Sequence, residues 1–203
     1  MSLTAPQNNT PRILVKTGTH IARLIGLIHI GTVIENFPGK PPQAMQKIRF
    51  TFEFPEEIHV FKEGEDAKPL VHSQEYTLSM GKKSNLRPIV EGIIGTSLLD
   101  EEAYGFNMES LLNEACLVSI KHGKTAKGTD YAKIAGTSPL MKGQTCKMPF
   151  NELKVLTYEK WDEKYFETLP NFIKDKMKTS LEYKQMKGIL PETTEVDPNE
   201  LPF

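Results

Sequence analysis

Residues 20–35 read HIARLIGLIHIGTVIE, a stretch rich in β-branched residues and apolar on both sides of an extended chain. Strict alternation puts Ala22, Leu24, Gly26, Ile28 and Ile30 on one face, yet Ile25, Leu27 and Val33 fill the other. β-branched residues favour a strand. A strand apolar on both faces is either covered on both or coils so that its faces exchange roles, and Gly26 and Gly31 mark where it would bend. After the turn-rich loop NFPGKPPQAMQ, residues 47–54 (KIRFTFEF) alternate cleanly. Ile48, Phe50, Phe52 and Phe54 share one face, and Lys47, Arg49, Thr51 and Glu53 the other. A charged loop with a short strand at IHVF leads to a third strand, QEYTLSM, at 74–80.

The period then changes. In SNLRPIVEGII (84–94) the apolar residues Leu86, Ile89, Val90, Ile93 and Ile94 recur at helical offsets. Ser84 or Asn85 can cap the start, Pro88 fits the first turn, and Gly95 is a natural stop. A second short helix is predicted at 108–114, capped by Asn107. CLVSIKH (116–122) and YAKIAGTS (131–138) read as two strands around the hairpin loop GKTAKGTD. An extended piece, FNELKVLTY, and helices near 162–178 and 180–186 follow.

Five strands with a helix between the third and fourth predict a mainly β fold with added helices. The architecture expected from that order is a five-stranded OB-fold barrel, a Greek-key barrel suited to oligonucleotides. An α+β sandwich is the alternative. The chain divides into a polar N-terminal segment, 1–11, the barrel, 12–147, a helical extension, 148–187, and a polar acidic tail, 188–203, expected to be disordered. The extension is expected to pack on the barrel or to mediate homo-oligomers.

The 203 residues carry a net charge of −1, which taken alone argues against nucleic acid. The distribution changes that picture. Residues 1–52 hold six Lys or Arg against one acid, and 118–148 hold six Lys against one acid. The last sixteen residues hold four acids and no Lys or Arg. A near-neutral total therefore hides basic segments and an acidic tail. No apolar run is long enough to span a membrane, and the start lacks the form of a secretory signal, so the expectation is a cytoplasmic protein with no membrane partner. Cys116 and Cys146 lie far apart without a CxxC pair and are read as reduced thiols.

On such a barrel the ligand crosses the middle strands, flanked by the first-to-second and fourth-to-fifth strand loops, here 36–46 and 123–130. The second carries Lys124 and Lys127, able to close over phosphates, with Lys121 and Lys133 at its base. Lys47 and Arg49 lie on the polar face of strand two, Lys82, Lys83 and Arg87 in the loop before the helix, and Arg23 on strand one. Unpaired bases also need flat aromatic faces. Tyr131 is the first candidate, then Phe37 and Tyr76, while Phe50, Phe52 and Phe54 are assigned to the core and His29 to a structural role. No phosphate-binding, nucleophile-elbow or zinc-protease motif occurs, and the adjacent Asp100, Glu101 and Glu102 read as acids at a helix start. The chain is read as a non-enzyme with no metal and no cofactor.

The chain closes on DPNELPF. Asp197 and Glu200 would steer the segment toward a basic partner, while Leu201, Pro202 and Phe203 would seat in an apolar pocket. This stretch resembles the C-terminal tip of bacterial single-stranded DNA-binding proteins. It departs from them in that its acids are spaced out and Leu201 stands where isoleucine is usual. The body resembles a family of phage-encoded single-stranded DNA-binding proteins with an OB fold. The residues that carry the likeness are GTHIARLIGLIHIGT, YTLSMGKKSNLRPIVEGI, DYAKIAGTSPL and LPNFIKDKMKTSLEYK, in that order, across about 18–187. The resemblance implies coating of single-stranded DNA, without sequence specificity, during phage DNA replication or recombination in the host cytoplasm. It also implies recruitment of replication or recombination proteins through the tip. The competing reading is a protein-interaction adaptor of such a complex, whose barrel binds no nucleic acid.

Overall fold

The structure, a computed structural model, describes residues 13–189. The N-terminal segment up to residue 12 and residues 190–203 lie outside the described residues. All but the first two residues of the expected acidic tail therefore lie outside, with its tip, Asp197, Glu200, Leu201, Pro202 and Phe203.

Three long strands, β1 (Gly18–Glu35), β2 (Gln43–His59) and β3 (Lys68–Thr77), form an antiparallel meander. The expected short strand at IHVF is absorbed into β2, whose pairing with β3 slips between Phe54 and Ile58 before Ile58 and His59 rejoin it. β4 (Ala115–Lys124) pairs with the beginning of β1 and with β5 (Asp130–Ser138), giving the order β3-β2-β1-β4-β5. A sixth strand, β6 (Lys154–Leu156), runs parallel to residues 26–28 of β1.

The sheet stays open between β3 and β5, so the closed five-stranded barrel is not what the backbone pairing draws. A side chain crosses the gap. The Ile134 N–H donates to Gln74 Oε1 at 2.7 Å, and Gln74 Nε2 donates to the Ile134 carbonyl at 3.4 Å. A primary amide carries the same donor and acceptor as a peptide unit, so Gln74 supplies one rung where no ladder forms.

Strand β1 resolves its double-sided apolarity by being covered on both sides. Its pairing with β2 slips at Leu24/Gly26 and again at His29/Gly31, beside the two glycines expected to mark bends. The shifts overturn strict alternation. Ala22, Leu24 and Leu27 join the main core with Phe50, Phe52 and Phe54, whereas Ile28, Ile30 and Val33 join a second core. The three phenylalanines are wholly buried, as their shared face predicts.

Helix α1 (Arg87–Ile94) begins three residues later than the pattern suggests. Ser84 lies ahead of it, its Oγ accepting from the backbone N–H of Leu86 and of Arg87 at 3.1 Å each. Helix α1 lies against β5 at Gly92, where an added Cβ would stand 2.3 Å from the Thr137 carbonyl oxygen. The Thr137 hydroxyl donates to the Ile89 carbonyl at 2.7 Å beside this contact. A short α2 (Asp100–Tyr104) follows, then a 3₁₀ turn (Met108–Leu111) whose start Asn107 caps.

The helical stretch expected near 162–178 forms two helices, α3 (Glu163–Thr168) and α4 (Asn171–Thr179), the second starting after Pro170, with α5 (Leu181–Met186) after Ser180. Proline has no N–H to continue the first helix but fits the start of the next. These helices and β6 form the second core, in which Leu156, Phe166, Leu169, Ile173 and Met177 cover Ile28, Ile30 and Val33. Two carboxylates fasten this layer. Glu53, fully buried, accepts from the backbone N–H of Phe150 and Asn151 and from Asn151 Nδ2, at 2.7–2.9 Å. Glu182 accepts from the Thr32 N–H at 2.6 Å and from its hydroxyl at 2.7 Å. Among the described residues no helix is long and apolar enough to cross a membrane.

Candidate nucleic-acid interface

A groove of about 1100 Å³ runs along the open seam between β3 and β5. Phe37 of the β1–β2 loop and Lys47 of β2 stand at one side. Lys83 comes from the loop before α1, and Lys121 and Lys133 come from β4 and β5. Gln74 and Ile134, the pair that spans the seam, belong to its lining. Among the described residues, four lysines thus face the groove against one carboxylate, Glu75. Such an excess attracts a polyanion, and the low-dielectric walls strengthen the attraction.

The register of the β4–β5 hairpin extends this surface. Lys121 lies opposite Lys133, and Gly123 opposite Tyr131, two residues farther toward the tip on the same face. Ala132 and Ile134 between them point into the core. The Tyr131 ring lies across Gly123, where a Cβ would come within 2.8 Å of Cζ and Oη. Glycine therefore lets the ring lie across the hairpin, 42% exposed, in line with the two lysines. Lys124, opposite Asp130 and 3.4 Å from its carboxylate, and Lys127 in the loop itself are exposed beyond it. Lys83, Lys121, Lys127 and Lys133 have no ion-pair partner among the described residues.

Other expected contacts are taken up elsewhere. Arg23 clamps backbone carbonyls, donating to Asn113 O at 2.6 Å, Cys146 O at 3.0 Å and Lys147 O at 3.1 Å. Arg87 ties α1 to α2 through Glu91, Asp100 and the Leu98 carbonyl, and Lys82 pairs with the same Asp100 at 3.0 Å. Arg49 lies over the ring of Phe172 on α4, on the side of the sheet covered by the C-terminal layer. Tyr76 is a core residue, 5% exposed with its ring edge-on to Phe50, and presents no face to a base. Burial pushes its phenol well above the ordinary tyrosine range. Phe37, 38% exposed, lies at the groove edge.

Sequence reasoning missed the charge cluster at the groove's side. Lys47 lies 3.6 Å from Glu35 Oε1 and donates to the Thr77 hydroxyl at 3.2 Å. Lys176 of α4 donates to the same Glu35 oxygen at 2.8 Å and to Glu75 at 2.6 Å. The hydrogen bond from Lys176 holds the Glu35 carboxyl below its usual range. Burial opposes the charge on Lys176, but the bonds to Glu35 and Glu75 hold its ammonium above the ordinary lysine range. No local pattern signals this cluster, because its members are separated by up to 141 positions.

The acidic run has a local account. Asp100 is held by Arg87 and Lys82, and Glu102 accepts from the Leu99 N–H at the start of α2. Among the described residues no three His, Cys, Asp or Glu side chains converge as a metal site would require. Cys116 and Cys146 are free thiols, and burial pushes that of Cys116 up to about 12. His29 bonds Gln46 at 3.1 Å and meets the Tyr158 ring edge-on, the structural role expected of it. No protein-family model matches the chain, and a search of curated proteins gives no match.

Proposed function

We propose that the protein binds single-stranded DNA without sequence preference, on a half-open barrel of the OB type, and is not an enzyme. Such coating would serve phage DNA replication or recombination in the host cytoplasm, with the acidic C-terminal tip recruiting replication or recombination proteins. The observation that carries the reading is the continuity of the groove with the hairpin face. Lys83, Lys121 and Lys133 line a single trough, and Tyr131 continues the line of Lys121 and Lys133. Ammonium groups neutralise phosphates whatever the sequence, and an aromatic face stacks on any unpaired base. Bases inside a duplex already stack on each other and leave no face for Tyr131 or Phe37. The described helices are short, nine residues at most.

Titration of a fluorescent dT oligonucleotide and of a duplex of equal length, each at two salt concentrations, tests this. Saturable binding to the single strand, weaker for the duplex and falling steeply with salt, is the expected result. Equal affinity for both forms, or no saturable binding, overturns it. The adaptor reading draws support from a separate cleft of about 670 Å³, where Val71 and Phe150 are exposed beside Tyr165 and Thr168. It predicts an oligonucleotide titration with no saturation.

A further inference from the structure

The groove's one carboxylate, Glu75, is bound by a cation from outside the barrel strands, Lys176 on α4. The same ammonium shares Glu35 Oε1 with Lys47, at 2.8 Å against 3.6 Å for Lys47. Two carboxylates and two ammonium groups thus balance at the groove's side. If Lys176 were absent, Glu75 would keep only its cross-strand neighbour Arg49, and Lys47 would be the cation left beside Glu35, drawn away from any phosphate. With Lys176 in place, Lys47 can turn to a phosphate while Glu35 and Glu75 each keep a partner.

We propose that Lys176 is a positioning residue for nucleic-acid binding: it neutralises Glu75 and Glu35 beside the groove and so leaves Lys47 available to the ligand's phosphates. The C-terminal helical layer then has a role in binding although it does not line the groove. This inference rests on the single-strand reading above and adds to it a residue on an element that the sequence assigns only to packing or oligomerisation. The coupling is electrostatic and short-ranged, since like and unlike charges a few ångströms apart at a protein surface interact by several kT. The side-chain exposures of Lys47 and Lys176, 12% and 32%, keep solvent from screening it fully.

A double-mutant cycle tests it, read by dT-oligonucleotide titration at low salt. Lys176→Met should weaken binding by about tenfold, the factor expected of one uncompensated charge near the phosphates. Glu75→Gln should raise affinity only slightly in the native chain but restore most of the loss in the Lys176→Met background. A direct phosphate contact by Lys176 predicts instead that Glu75→Gln acts equally in both backgrounds, which would overturn the proposal. Native-like affinity of Lys176→Met would overturn it as well. Should Lys176→Met alone not fold, the Glu35→Gln/Glu75→Gln pair removes the acids it serves: adding Lys176→Met to that pair should then cost little affinity, and a tenfold loss there would overturn the idea. Failure of the unaltered protein to bind the oligonucleotide sinks the single-strand reading itself, an outcome distinct from all of these.

Discussion

Removing the two facing lysines of the β4–β5 hairpin is the sharpest perturbation of the groove. Lys121 and Lys133 are cross-strand partners, both exposed, and both without an ion pair among the described residues. Their replacement by methionine keeps the aliphatic stems and removes no internal contact, so stability should hold. The groove has four lysines in its lining. For a single strand each neutralised phosphate contributes about −0.7 to the slope of log affinity against log salt. Four contacts then give a slope of about −2.8, and the double variant about −1.4. Between 50 and 200 mM salt the affinity of the native chain should fall by roughly 50-fold and that of the variant by only about sevenfold. Fluorescence anisotropy of a labelled dT oligonucleotide across that range measures both slopes. Equal slopes in the two proteins would mean that the hairpin lysines do not meet phosphates, and the groove would lose its assignment.

Other changes probe the parts that build the groove. Tyr131→Ala should weaken oligonucleotide binding by roughly 1–3 kcal/mol with little change in salt slope, and Gly123→Val should reproduce the loss by displacing the ring. An unchanged affinity in both would remove Tyr131 from the interface. Gly92→Ala sets a methyl group 2.3 Å from the Thr137 carbonyl oxygen, so α1 must move; a loss of about 1–3 kcal/mol in denaturant unfolding is expected. A native midpoint would show that α1 does not lie so close to β5. Glu53→Ala leaves the Phe150 and Asn151 N–H groups and Asn151 Nδ2 without their acceptor. The loss of three hydrogen bonds at about 1 kcal/mol or more each predicts a destabilisation of about 3 kcal/mol or more, and chemical denaturation with a native result would contradict it. If the acidic tail competes with DNA for the groove lysines, deleting residues 190–203, which removes four acids, should tighten oligonucleotide binding at low salt but not at high salt; unchanged or weaker binding at low salt would refute that competition.

The elements were legible wherever periodicity was strong. The KIRFTFEF alternation places its three phenylalanines in the core, and helical offsets locate α1 and its Gly95 stop, though its start lies at Arg87 rather than Ser84. The basic hairpin was legible too, since its strands, loop and lysines are contiguous in sequence. Register slips were not, because a bulge changes the face of every later residue without changing composition. Gly26 and Gly31 were the visible hint, and the two cores of β1 were their consequence. Arginine roles were the least legible. Arg23 and Arg87 look like phosphate ligands by type, but a guanidinium serves carbonyl and carboxylate oxygens of its own chain equally well. The partners they found, two loop carbonyls for Arg23 and the first residue of α2 for Arg87, are ones that sequence alone does not bring near.

The polar face of β2 shows why such errors are systematic. Alternation establishes that Lys47, Arg49, Thr51 and Glu53 do not face the main core, but it does not say what satisfies them. Water, a ligand or another segment of the chain would each permit the same pattern. Here the C-terminal layer takes up most of that face. Asn151 meets Glu53, Phe172 lies under Arg49, and Lys176 shares Glu35 with Lys47. Only Lys47, at the end nearest the β1–β2 loop, also reaches the groove. A buried carboxylate and a cation over a ring are tolerated only where their partners are fixed, so the extension is part of the sheet's electrostatics rather than an appendage to it. β6 pairing with residues 26–28 of β1 makes the same point in backbone hydrogen bonds. A boundary drawn at residue 147 therefore separates charges from their counter-charges. That arrangement gives the helices beyond it a means to set the groove's charge without lining it.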